Sequence, residues 1–125
     1  MGKVTAAGSC LCGSVRYQVT GPVRDITACH CSQCRKQSGH FWASSAAADS
    51  DFQLLNEDGL TWFRSSDFAV RGFCANCGSA LFWKKDGEDR ISFSSGSLDK
   101  HPGLTLSKNI FTDDKGDYYT IPGEE

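Results

Sequence analysis

The chain has 125 residues, 13 basic and 15 acidic, with a net charge of −2 and a pI near 5.9. That length suits one domain over residues 1–125, and the charge balance argues against a nucleic-acid footprint, which needs a basic face and a high pI. The longest apolar run, Ala80 to Trp83, is far too short to cross a bilayer. The opening stretch MGKVTAAGSC has no secretory apolar run and places Ala6 where a myristoylation motif requires Ser or Thr, so a cytoplasmic protein with no membrane anchor is expected.

In chain order, SVRYQV alternates Val15, Tyr17 and Val19 on one face, the period of a half-buried strand, and TGP at 20–22 ends it. Further strands are predicted over 40–44, 52–55, 60–63, 68–73, 80–83 and 90–94, separated by Asp, Gly, Asn and Ser clusters. One short helix is predicted over SQCRKQS, 32–38, with Ser32 as its cap. GSLDKHPG, 96–103, reads as turn throughout. The fold class is mainly β, with one or a few short helices.

Seven cysteines are a strong excess, and an odd number cannot all pair in disulfides. Metal binding is the leading use. They fall into CLC (Cys10, Cys12), CHCSQC (Cys29, Cys31, Cys34) and CANC (Cys74, Cys77). Structural zinc takes four ligands from two short knuckles, which suggests Cys10, Cys12, Cys74 and Cys77 on one ion. A local CxCxxC loop can wrap Cys29, Cys31 and Cys34 around a second, although spacing alone allows other groupings. His30 stands between two cysteines that already face the metal, so its side chain is expected to turn away and hydrogen-bond elsewhere; His40 and His101 read as surface or loop histidines.

Three protein ligands leave a fourth position open, as in zinc sites that meet a substrate. Three thiolates on a dication leave one negative charge, a weak Lewis acid for ionising water but a good acceptor of an external thiol. The expected substrate therefore carries a thiol, and the chemistry occurs at its sulfur.

GSCLCGSVRY, CHCSQCRKQSG, FCANCGSALFW and SGSLD, in that order over about residues 8–112, resemble the glutathione-dependent formaldehyde-activating enzyme family, whose GFA domain is shared with centromere protein V. The resemblance implies a compact Mss4-like β fold with two zincs, a structural one on Cys10, Cys12, Cys74 and Cys77 and a catalytic one on Cys29, Cys31 and Cys34. It also implies a carbon–sulfur lyase that forms or cleaves S-hydroxymethylglutathione. The chain departs from the family pattern in reading Asn109 where members often carry His, followed by Tyr118 and Tyr119 rather than Trp, and in lacking a long basic N-terminal extension.

Around the open site, Arg35 is placed to meet a carboxylate of a glutathione-like peptide, and Ser38 and Gly39 to line the pocket or to end the helix. Phe41, Trp42, Trp62 and Trp83 read as core or pocket wall, and Asp99 as a turn aspartate bonding its own backbone. Two other readings compete with the enzyme. One is a module in which both zincs only hold loops. The other is a Cys31/Cys34 redox pair, which needs a βαβ setting.

Overall fold

The structure, a computed structural model, describes residues 2–100 and 103–122. Its elements are β1 (Ala6–Ser9), β2 (Val15–Val19), β3 (Ile26–Cys29), α1 (Ser32–Ser38), β4 (Trp42–Ala48), β5 (Phe52–Glu57), β6 (Leu60–Arg64), β7 (Ala69–Cys74), β8 (Ala80–Lys85), β9 (Arg90–Ser94), β10 (Leu98–Lys100) and β11 (Leu106–Ile110). They form two sheets, ordered β10-β1-β2-β5 and β11-β3-β4-β9-β8-β7-β6. Pairing is antiparallel except between β11 and β3, which run parallel.

The alternation in β2 does what its period predicts: Val15, Tyr17 and Val19 are buried and Arg16 is exposed. The Tyr17 ring meets Phe52, Phe82 and Phe93 at centroid distances of 5.4 Å each, which joins the small sheet to the large one. Its hydroxyl is within 2.6 Å of the Ser97 hydroxyl, so the polar tip is also satisfied. Phe93 is fully buried in this cluster. Phe93→Ala should cost about 3–5 kcal/mol, the usual penalty for an emptied aromatic site. Urea unfolding measures it, and a loss below about 1 kcal/mol would mean that the two sheets do not depend on this cluster.

Several elements differ from expectation. The strand predicted at 40–44 begins at Trp42, because the Ser38 hydroxyl donates to the carbonyls of Cys34 and His40 and holds the chain in a turn. It continues to Ala48 because Ser44, Ser45, Ala46 and Ala47 are buried where β4 lies between β3 and β9, a run of small residues with no period of two. The stretch 96–103 is not all turn. A 3-10 turn at Ser95–Ser97 leads into β10, which pairs with β1; His101 and Pro102 lie outside the described residues. Asp99, on that strand, accepts from the Ser9 hydroxyl at 2.8 Å. β1, β3 and β11 carry no periodic signal and are strands because other strands pair with them, including distant ones: β10 with β1, and β3 with β11.

Candidate metal centres and the adjoining cleft

The turn after β1 carries Cys10 and Cys12, and β7 with its following turn carries Cys74 and Cys77. Gly78, at φ 82°, supplies the left-handed step that closes the second knuckle, with its N–H on the Cys74 carbonyl at 2.7 Å. The Ser79 hydroxyl accepts from Leu11 N–H at 3.0 Å and so ties the two turns together. The same hydroxyl lies 3.2 Å from the Cys77 sulfur, and hydrogen bonding from Ser79 lowers that thiol to about 5. All four sulfurs lie within 4.8 Å of one another. Two knuckles offering four sulfurs are the donor set of a closed tetrahedral ion. Because β1 belongs to one sheet and β7 to the other, an ion here would cross-link the two sheets.

Cys29, Cys31 and Cys34 gather in the same way, their sulfurs within 4.8 Å. Cys29 is the last residue of β3, and Cys31 is the N-cap of α1, its sulfur accepting from Cys34 N–H at 3.3 Å. The expected cap, Ser32, is instead the first helical residue: a sulfur that must face its two neighbours already occupies the capping position. Gly39, at φ 90°, ends the helix with its N–H on the Arg35 carbonyl. The buried Cys34 sulfur also accepts from Arg71 Nη2 at 3.3 Å. Hydrogen bonding from Cys29 first, and the Arg71 contact with it, holds the Cys34 thiol down to about 5. Cys29 is pushed up by the same bond and by burial. Cys34 is thereby biased toward the thiolate, the form that ligates a metal.

His30 is 2 % exposed and turns away from the sulfurs. Its Nε2 lies 2.9 Å from Asn109 Oδ1 and its Nδ1 2.8 Å from the Tyr119 hydroxyl. The Asn109 oxygen can only accept, so Nε2 carries the proton and Nδ1 accepts from Tyr119. His40 Nδ1 makes a parallel contact with the Tyr118 hydroxyl at 2.7 Å. These two pairs clip the C-terminal segment onto the loop that carries the cysteines. The strands flanking α1, β3 and β4, are antiparallel neighbours, not the crossover that a CxxC redox pair requires.

The three sulfurs open onto a cleft of about 610 Å³. Trp42 and Arg71 wall it beside the cluster, with Arg24, Arg90 and Lys108 among its other lining residues. Arg24 is held by hydrogen bonds to Thr27 Oγ1 and to Ser44 Oγ, and burial followed by the nearby charge of Arg90 lowers its pKa. Trp83 lines the cleft, whereas Trp62 is neither core nor cleft wall: it stacks on Phe82 at 5.9 Å and stays 42 % exposed. Arg35, Ser38 and Gly39 do not line this cleft; Ser38 and Gly39 instead shape the end of α1.

Arg71, which contacts the Cys34 sulfur and lines the cleft, is a site residue that spacing did not single out. In FAVRGF it falls two residues from Ala69, on the face the strand period assigns to the core, and a charge at such a position was the available signal.

The family model described as glutathione-dependent formaldehyde-activating enzyme matches residues 5–114. The chain belongs to this family. Among relatives, this GFA-family chain is 27% identical over 117 residues to an uncharacterized lyase of Schizosaccharomyces pombe, covering 90% of this chain and 82% of that protein. It is 32% identical over 83 residues to a Halomonas elongata protein provisionally named as a glutathione-dependent formaldehyde-activating enzyme, covering 60% of this chain and 53% of the relative. A crystal structure of a Rhodobacter sphaeroides protein shares the fold with a TM-score of 0.66 at 22% identity, over 82% of this chain and 98% of that one. No helix among the described residues of this GFA-family protein is long and apolar enough to cross a membrane.

Proposed function

We propose that this protein is a zinc-dependent carbon–sulfur lyase that forms or cleaves the adduct of a glutathione-type thiol with formaldehyde or a related carbonyl. The observation that carries the reading is a three-thiol cluster set in the wall of a cleft that also presents Arg24, Arg90 and Lys108. Cys10, Cys12, Cys74 and Cys77 would hold a structural zinc, and Cys29, Cys31 and Cys34 a second one with an open position. Bound there, zinc supplies a soft Lewis-acidic centre that favours the ionised form of a substrate thiol at neutral pH.

The chain's own groups do the rest. Arg24, Arg90 and Lys108 offer charge-assisted bonds to the carboxylates of a tripeptide thiol, which orients its sulfur toward the cluster. Trp42 and Trp83 supply apolar wall that excludes water from the reacting carbon. Ser38 and Gly39 fix the end of the helix that carries Cys34. A buried His30 orients the loop between Cys29 and Cys31 through Asn109 and Tyr119.

The purified protein should hold two zinc ions, one resistant to mild chelation and one readily lost, because only the first has a closed set of four sulfurs. Metal analysis before and after a weak chelator checks this; simultaneous loss of both would contradict the division. To test the thiol assignment, the labile ion is replaced by cobalt and glutathione is added. Sulfur-to-cobalt absorption should rise with glutathione and not with S-methylglutathione, which has no ionisable thiol. Equal responses to the two would refute thiol coordination.

A further inference from the structure

Three residues that line the cleft each carry a buried hydrogen-bond donor without a protein acceptor, Arg71 Nη1, Trp42 Nε1 and Arg24 Nε, and the first two belong to residues placed beside the three sulfurs. Arg71 is 4 % exposed, and its Nε donates to Gln33 Oε1 at 3.0 Å and its Nη2 to the Cys34 sulfur at 3.3 Å. Its remaining nitrogen, Nη1, is buried with no partner. Trp42 is 6 % exposed, and its Nε1 is likewise buried and unpartnered. Both residues line the cleft, with the Arg71 guanidinium carbon 5.8 Å from the centre of the Trp42 ring. Trp42 also sits directly across from Cys29 in the β3–β4 pairing.

A buried donor left without an acceptor costs about 1–3 kcal/mol, and more when charged. Two at one place, fixed by a sheet on one side and by Gln33 and Cys34 on the other, have the character of a preorganised site for a negative oxygen. Among the described residues Arg71 has no carboxylate partner in an ion pair; Gln33 Oε1, the Cys34 sulfur and the Trp42 ring are what meet its guanidinium.

We propose that Arg71 Nη1 and Trp42 Nε1 together form an oxyanion hole for the oxygen on the carbon that is joined to the substrate's sulfur. This rests on the carbon–sulfur lyase reading above. In the forming direction the ionised thiol's electron pair makes the new C–S bond while the C=O π pair moves onto oxygen. The oxygen carries a full negative charge at that point and then takes a proton from water, balancing the one released by the thiol. The sum is thiol plus aldehyde to hydroxyalkyl thioether, with no oxidant or reductant. Cleavage runs the same steps backwards: the hydroxyl loses its proton, C=O re-forms and the C–S bond breaks. Arg71 acts only as a hydrogen-bond donor, since a guanidinium offers N–H groups and no acceptor. Its contribution, and that of the Trp42 N–H, is to be in place before the charge develops.

The proposal makes Arg71 and Trp42 catalytic residues that discriminate by charge on one oxygen, which separates them from a merely structural role. The probes are S-sulfoglutathione, which carries stable anionic oxygens on the atom bonded to sulfur, and S-methylglutathione, which has none there. Calorimetric titration of the zinc-loaded wild type should show the S-sulfo compound binding at least about tenfold tighter. Arg71→Gln should lower its affinity about 100-fold, and Trp42→Phe, which removes only the N–H, about tenfold, while S-methylglutathione binding stays nearly constant. Arg71→Lys keeps the charge without the fork and should fall between Arg71→Gln and wild type. An unchanged preference in these variants overturns the proposal. So does an equal loss for both ligands, or loss of the labile zinc in Arg71→Gln with Arg71→Lys restoring it, since that would show a cation that only balances thiolates. Should Arg71→Gln fail to fold, Trp42→Phe and Arg71→Lys decide the matter. A wild type that shows the S-sulfo preference but does not accelerate the formaldehyde reaction would overturn the substrate and leave the donor pair standing.

Discussion

Cys74→Ser should leave the protein largely unfolded at room temperature. Cys74 is fully buried at the end of β7, with its sulfur 3.8 Å from that of Cys12, so it joins the core to the four-sulfur cluster. Structural zinc in a small domain contributes an apparent free energy on the order of 10 kcal/mol, as large as the net stability of most domains. Here that ion would also bind the four-stranded sheet to the seven-stranded one. Removing one of its ligands therefore weakens the link between sheets as well as the local turn. Circular dichroism and a thermal melt in the presence of zinc measure the effect. A variant that melts within a few degrees of wild type would show that the tetrad does not hold a folding-linked ion.

Cys34→Ser should do the opposite: abolish the labile zinc and any response to thiols while leaving most of the melting temperature in place. Cys34 sits in the first turn of α1, and the helix has independent anchors in the Cys31 and Gly39 caps and in the Ser38 hydroxyl bonds. Its packing contribution is that of a small buried side chain, so the loss from volume change alone is modest. The larger consequence is at Arg71, whose Nη2 loses a thiolate acceptor inside a buried site. A destabilisation of about 1–3 kcal/mol is expected from that contact. Equal collapse of Cys34→Ser and Cys74→Ser would erase the distinction between a structural and a catalytic centre.

The grouping of the cysteines was legible because ligand number is a strong constraint. Two knuckles make four ligands and a local CxCxxC makes three, which favours setting Cys10, Cys12, Cys74 and Cys77 apart from Cys29, Cys31 and Cys34 although spacing alone allows other groupings; both sets come together in space. The strands with alternating or aromatic character, β2 and β5 to β9, were legible for a similar reason. β3 and β11 were not. ITAC and LSKNI become strands through their parallel pairing across most of the chain, which no local window contains. The substrate side of the cleft was the least legible part. Arg35 was singled out because it follows Cys34 in sequence, but the next residue along a helix points about 100° away from its neighbour, and the cations that line the cleft come from β7, β8, β9, β11 and the stretch before β3. Cleft walls are assembled from residues distant in sequence, whereas metal knuckles are local.

The most direct test of the lyase reading is exchange NMR on labelled formaldehyde, glutathione and their adduct at equilibrium, with the zinc-loaded protein added at catalytic concentration. The account predicts that exchange between free formaldehyde and S-hydroxymethylglutathione accelerates in proportion to protein, and that the acceleration disappears in Cys34→Ser. An exchange rate indistinguishable from the spontaneous reaction, with both zinc sites occupied, would contradict it.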